Sequence, residues 1–387
     1  MRQFFLSILL FLGLNVAAQP DSCGIKFSLL TCTPGDELYS SFGHSALRMV
    51  NTENGSDLVF NYGTFDFDDP DFYTKFTRGK LLYFVSVDAF PDFMMEYQYF
   101  QRGVTEQDLR LTCAEKQKLL YALYENAREE NKYYRYDFNY DNCTSRLRDM
   151  IWKMTPEKPI VSSIVPAGTS FRNLIHEYLD KGKQQWSKLG IDILLGAPLD
   201  KQVTNEEAMF LPDYLMKALD SARVNGEPLV TAKRELLTRG PEAASSFSLD
   251  PALIFTILFI LYLFPVFTKN KRVKRIGNIM DGLLFGITGL IGILLVFMWW
   301  GTDHAMCRNN WNLAWALPTH FIMAFFVTRQ KAWVRSYFMV VALLSVILLV
   351  AWFWLPQQLN YGLMPVVALL GFRGFWIGKL NARHYDK

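Results

Sequence analysis

From Leu249 onward the apolar residues gather in five blocks: about Leu249–Phe267, Ile279–Trp300, Leu313–Val327, Tyr337–Leu355 and Leu363–Ile377. A helix of about 20 apolar residues crosses the hydrocarbon core of a bilayer. The C-terminal part therefore reads as an α-helical membrane domain of about five spans. The third and fifth blocks are short, which suits a tilted or partly re-entrant path.

The loops between the blocks set the orientation. Lys269-Asn-Lys-Arg-Val-Lys-Arg275 and Arg329-Gln-Lys-Ala-Trp-Val-Arg335 are basic, and the tail carries Lys379, Arg383 and Lys387. Gly301–Asn312 and Gln357–Tyr361 carry little positive charge. Basic loops stay in the cytoplasm, so whatever precedes Leu249 lies outside. The N-terminus agrees with this. Arg2, the apolar run Phe4–Leu14 and Val16-Ala-Ala18 read as a secretory signal peptide, with cleavage expected after Ala18. The expected organisation is a signal peptide over 1–18, a periplasmic domain over 19–248 and a transmembrane domain over 249–387. The expected location is the bacterial inner membrane, with the chain crossing it several times. A net charge of +3 over 387 residues is too small to suggest nucleic acid as a partner.

The periplasmic part is of mixed α+β character. Strands are expected over Gly24–Cys32, Phe42–Val50, Asp57–Phe65, Lys80–Val87 and Thr105–Leu111. Helices are expected over Asp71–Arg78, Phe90–Phe100, Ala114–Glu130, Ser170–Asp180 and Pro212–Arg223. Asn54-Gly55 is a hairpin signal between the second and third strands. With those two residues at the centre of the turn, Asn61 and Gly63 share a face with His44.

Asp141 and Asn142 are good helix N-cap residues. Leu147, Met150, Ile151 and Met154 recur at helical spacing after them. Cys143 thus sits at a helix start, where unpaired N–H groups and the helix dipole favour a thiolate. The five cysteines, Cys23, Cys32, Cys113, Cys143 and Cys307, all fall on the outer side. An odd number leaves at least one unpaired. Cys143 is the one expected to be free, with one or two disulfides among the others. A thiolate and an imidazolium make an acyl-transfer nucleophile at neutral pH. His44 is the expected base and Asn61 the expected group that orients it, with Tyr62 and Asp66 as alternatives for that third position.

Three segments carry a resemblance: Phe42-Gly-His-Ser-Ala-Leu-Arg48, Asn61-Tyr-Gly-Thr-Phe-Asp66 and Tyr140-Asp-Asn-Cys-Thr-Ser-Arg-Leu-Arg-Asp149. Together they resemble the Lnb N-terminal periplasmic domain family. That family is similar to permuted papain-like (NlpC-like) folds, in which the histidine precedes the cysteine. The resemblance implies lipoprotein N-acylation. An acyl chain would pass from a membrane phospholipid, through a Cys143 thioester, to the α-amine of a diacylglyceryl-cysteine lipoprotein. Cys143, His44 and Asn61 would be catalytic, with Tyr62 and Asn142 lining the substrate. The alternative is a membrane-tethered cysteine hydrolase of peptidoglycan peptides or lipid esters, with water in place of the amine.

The outer loop Gly301–Asn312 is polar for a membrane junction. Asp303, His304 and Asn312 are candidates to bind a lipid head group or to help close the site. The alternative is simple interfacial solvation beside an aromatic belt of Trp299, Trp300, Trp311 and Trp315. His304, Cys307 and His320 match no familiar metal-ligand spacing, so neither metal nor cofactor is expected.

Overall fold

The computed structural model describes residues 23–240, 249–329 and 331–380. The expected signal peptide and the expected boundary at residue 248 lie outside the described residues.

The N-terminal domain is built on one antiparallel sheet. Its strands are β1 (Ile25–Cys32), β2 (His44–Asn51), β3 (Ser56–Thr64), β4 (Leu82–Ala89), β5 (Val104–Leu109) and β6 (Tyr133–Arg135). A short hairpin of β7 (Arg223–Val224) and β8 (Glu227–Pro228) leads into the last strand, β9 (Val230–Leu237). The order across the sheet is β6-β4-β3-β2-β1-β5-β9. Helices α1 (Phe72–Thr77), α2 (Phe90–Tyr99), α3 (Cys113–Ala127) and α4 (Cys143–Met154) fall between or after these strands. They are followed by α5 (Phe171–Lys181), α6 (Gln185–Leu194), α7 (Asn205–Ala208) and α8 (Pro212–Ser221).

Burial follows the period-2 pattern of the central strands. Leu29, Leu47, Phe60 and Tyr62 go to one face, where Leu119, Leu123, Leu147 and Ile151 of α3 and α4 cover them. Leu30, Ala46 and Val59 go to the other, against Phe93 and Tyr97 of α2. A disulfide joins Cys23 to Cys113, while Cys32, Cys143 and Cys307 are free and buried. The aromatic run after α3, which carries no clear alternation, supplies the edge strand β6. Helix α6 has no counterpart among the sequence expectations.

The β2–β3 hairpin differs from the expected register. Asn51 pairs with Ser56 and Leu47 with Phe60, so Thr52–Gly55 form a four-residue loop. The pairing therefore slips by two residues. An even slip leaves every side chain on its expected face, so Asn61 still shares a face with His44.

The C-terminal part holds α9 (Pro251–Phe267), α10 (Lys271–Trp300), α11 (Thr319–Met323), α12 (Ala332–Ala351) and α13 (Met364–Leu380). Among the described residues three helical stretches are long and apolar enough to cross a membrane: Lys271–Trp300, Ala332–Trp354 and Tyr361–Lys379. Helix α9 is apolar but has 17 residues, about 26 Å at the α-helical rise. The expected span Leu313–Val327 is not one continuous helix. It consists of a 3-10 turn at Trp311–Ala314, the short α11, and a second 3-10 turn at Ala324–Phe326. This segment lies directly on α10. A Cβ on Gly289 would come 2.1 Å from the Phe321 nitrogen, and one on Gly292 would come 2.1 Å from the Ala316 oxygen. The glycines thus let two backbones touch. Between α10 and α13, Arg373 grips Asp281 with two bonds of 2.6 Å, both side chains being buried.

The two parts meet along a polar seam. Asn310 donates to the carbonyls of Ile193 and Leu194, and Asn312 to that of Asp192. Gly196 N–H donates to Met306 O. Beneath the seam, Arg172 is fully buried and bonds Asp192 at 2.6 Å and Asp200 at 2.9 Å. His176 and Asn360 also hold the Asp192 carboxylate, each at 2.8 Å.

Candidate active site

Helix α4 begins where a good cap residue meets an amphipathic run. Asn142 is the N-cap. Its Oδ1 accepts from Ser145 N–H at 2.8 Å, and Ser145 Oγ accepts from Asn142 N–H at 2.8 Å. Asn142 Nδ2 also donates to the carbonyls of Phe138 and Phe210. Its polar side-chain atoms are thus engaged in pinning the helix start. The other cap candidate, Asp141, instead makes a two-pronged pair with Arg146.

Cys143 is the first residue of α4 and is buried. It packs against the sheet where β2 begins, and His44 is the first residue of β2. The imidazole and the backbone N–H of Ser45 both act on the thiol, each favouring its ionised form. Thr144 Oγ1 lies 3.6 Å from the sulfur and itself donates to Ser45 Oγ at 3.2 Å. Burial opposes ionisation of Cys143. The charge and hydrogen bond of His44, helped by Ser45 and Thr144, outweigh it and bring the thiol down to about 7. Burial likewise works against the charged form of His44, but the sulfur and Asn61 together raise its pKa above the usual 6.5. The two shifts run toward each other and favour a thiolate–imidazolium pair.

His44 Nε2 donates to Asn61 Oδ1 at 2.5 Å. That bond leaves Nδ1 as the ring nitrogen available to the sulfur. Of the three residues considered for the orienting position, Asn61 is the one that reaches the ring. Tyr62 points into the core, where its hydroxyl accepts from Asn126 at 3.1 Å. Asp66 caps a turn by accepting from Asp68 N–H. Beside them Gly63 has φ +91°, at an irregularity in the β3–β4 pairing. A Cβ there would lie 3.6 Å from Cys143 Cβ and 3.7 Å from Tyr136 Cε2.

The membrane-loop candidates do not gather at one place. Asp303 faces Arg135 at 3.5 Å, and its N–H donates to Arg78 O. His304 Nε2 lies 3.1 Å from Phe76 O. These two residues therefore meet α1 and β6. Asn312 is buried in the seam with α6 and accepts from Trp315 Nε1. It bonds across the junction of the two parts.

Sequence reasoning missed Ser45 and Thr144, and it placed Gly63 on the face of His44 without giving it a part in the site. Adjacency to His44 and Cys143 was the available signal for the first two. A Gly inside a strand, here between Tyr62 and Thr64, often marks an irregular pairing, and that was the signal for the third.

Two family models match the chain. The Lnb N-terminal periplasmic domain covers residues 15–176, and the Lnb transmembrane domain covers residues 242–384. The chain belongs to the Lnb family. The first match spans His44, Asn61 and Cys143, and the second spans all the membrane helices. Membership points to a membrane-associated, lipoprotein-modifying enzyme with its N-terminal domain in the periplasm. No curated protein and no solved structure matches the chain significantly.

Proposed function

We propose that this Lnb-family protein is a lipoprotein N-acyltransferase of the inner membrane. The observation that carries the reading is the Cys143–His44–Asn61 arrangement at a helix start, in a chain that also carries an Lnb transmembrane domain. Both substrates of such a reaction are lipids held in a membrane. Fusion of the thiol domain to membrane helices suits that need.

In the first half-reaction the Cys143 thiolate adds to an ester carbonyl of a phospholipid. First-turn N–H groups of α4 other than that of Ser145, which the Asn142 cap holds, support the negative charge that develops on the carbonyl oxygen. The intermediate collapses by breaking the C–O bond. The glycerol oxygen takes the proton of the His44 imidazolium, a lysophospholipid leaves, and Cys143 carries the acyl chain as a thioester. In the second half-reaction the α-amine of a diacylated lipoprotein adds to the thioester carbonyl. His44 takes a proton from the amine, the C–S bond breaks, and an amide and free Cys143 thiolate result. These steps need no metal or cofactor. Histidine at the start of an early strand and cysteine at the start of a later helix support the assignment of roles and suit a permuted papain-like fold. In the same reading α9 and the α11 segment complete a five-span domain, and the signal peptide and the boundary near residue 248 stand as inferred from the sequence.

The test is mass spectrometry of the Cys143 peptide after incubation with phospholipid, followed by addition of a diacylated lipopeptide. The expected result is a thioester that forms, then transfers to the peptide amine. Cys143→Ala abolishes both products. A lipopeptide that becomes triacylated at the wild-type rate with Cys143→Ala would overturn the reading.

A further inference from the structure

We propose that an aromatic path across the N-terminal domain, from the membrane loop to Cys143, receives the phospholipid acyl chain; this inference rests on the acyltransferase reading above. The path starts at the sulfur. Tyr136 and Cys143 both border Gly63, where an added Cβ would lie 3.7 Å from the Tyr136 ring and 3.6 Å from Cys143 Cβ. The Tyr136 ring stacks on Tyr83 at 4.4 Å, and Tyr83 meets Phe65 at 5.3 Å. Phe65 then contacts Phe67 at 4.6 Å and Phe72 at 5.8 Å. From Phe72 the rings of Tyr73 and Phe76 continue the series along α1.

The far end of this path is open. Phe67 is 67% exposed, Tyr73 81% and Phe76 52%. Water-facing aromatic rings in such a group mark a surface that something apolar covers. Its position identifies what that is. Phe76 O and Gly79 contact His304, and Arg78 O accepts from Asp303 N–H. Those residues follow directly on α10, whose last residues, Trp299 and Trp300, stack at 4.7 Å. Paired tryptophans at the end of an apolar helix mark the bilayer–water interface. The exposed rings are therefore continuous with the junction to the membrane domain, at the level where lipid ester groups lie. A chain leaving the outer leaflet there meets apolar rings all the way to the nucleophile. The occupant is a bilayer phospholipid, with its acyl chain along the rings.

The test compares two acyl donors on the full-length protein. One is phosphatidylethanolamine in vesicles into which the protein is reconstituted. The other is p-nitrophenyl acetate, a small soluble ester that needs no apolar path. The variant is Phe67→Ser/Tyr73→Ser, with Phe67→Leu/Tyr73→Leu as the apolar control. The serine variant is expected to form the Cys143 thioester from vesicles at least tenfold more slowly, with the p-nitrophenolate burst unchanged, and the leucine variant to recover most of the vesicle rate. Equal vesicle rates in the serine variant and wild type would overturn the path. So would an equal fall with both donors, which would mean a structural defect. If the serine variant loses a dimer present in the wild type while its vesicle rate is unchanged, the surface belongs to a second copy and the proposal fails. A wild-type protein that forms the burst but no thioester from vesicles would defeat the acyl-donor assignment itself.

Discussion

Among the described residues an arginine is buried against an aspartate twice, and the two regions treat the pair differently. In the membrane domain Arg373 and Asp281 hold each other face to face between α10 and α13. At the seam Arg172 and Asp192 belong to a wider group. Arg172 also bonds Asp200 and the carbonyls of Leu195 and Gly196, while Asp192 also bonds His176 and Asn360. A charge taken out of water needs compensation from whatever surrounds it. Among apolar helices one partner provides it, so the loss of either is severe. At the seam several partners share it, so the loss of one is tolerated better. A pair of the first kind orients two helices, and a network of the second kind locks two domains.

The contrast can be broken by substitution. Arg373→Met leaves Asp281 buried without its partner and is expected to cost about 3–5 kcal/mol, read as a large fall in thermal midpoint in detergent. The double variant Asp281→Leu/Arg373→Met is expected to regain most of that loss, because neither charge remains. If Arg373→Met unfolds at the wild-type temperature, the pair contributes nothing and the contrast fails. Asn360→Ala removes one of three partners from Asp192, and a loss of about 1.5 kcal/mol, the low end for a hydrogen bond to a charged group, is expected in the same measurement. A loss as large as that of Arg373→Met would mean that the seam is no more redundant than the membrane pair.

The smallest effect concerns the site. Asn61 supports the protonated imidazole, and the imidazolium supports the thiolate. Alkylation of Cys143 by iodoacetamide is therefore expected to rise with pH through a midpoint of about 7 rather than 9. Asn61→Ala is expected to move that midpoint upward, because the thiol's main counter-charge weakens. Asn61 acts on the sulfur only through the ring, so the shift is expected to stay within about one pH unit, about 1.4 kcal/mol. An unmoved midpoint would show that Asn61 has no hold on the ring.

These differences also explain what could be read before the structure. The shared face of His44 and Asn61 was legible, because strand alternation survives any even slip in pairing. The start of α4 was legible from Asn142, because a cap residue beside an apolar run acts locally. The path of Leu313–Val327 was not, because hydropathy says which residues avoid water and not whether the backbone stays helical. Pro318 lies within that block, and Gly289 and Gly292 let its backbone press on α10. Asn312 looked like a ligand for a lipid and Asp192 lies in a helix the sequence did not reveal. Both are fixed by partners more than a hundred residues away, a distance no local pattern spans.

The seam has a consequence for how the enzyme would take turns with its substrates. Backbone and side chain are bonded across it at Asn310, Asn312 and Gly196, so the catalytic head cannot swing on a tether from one lipid to the next. Under the proposed reading the sulfur is a fixed station. Donor and acceptor must visit it in succession by drifting sideways in the leaflet, and the order of events is governed by lateral traffic in the bilayer rather than by a moving arm.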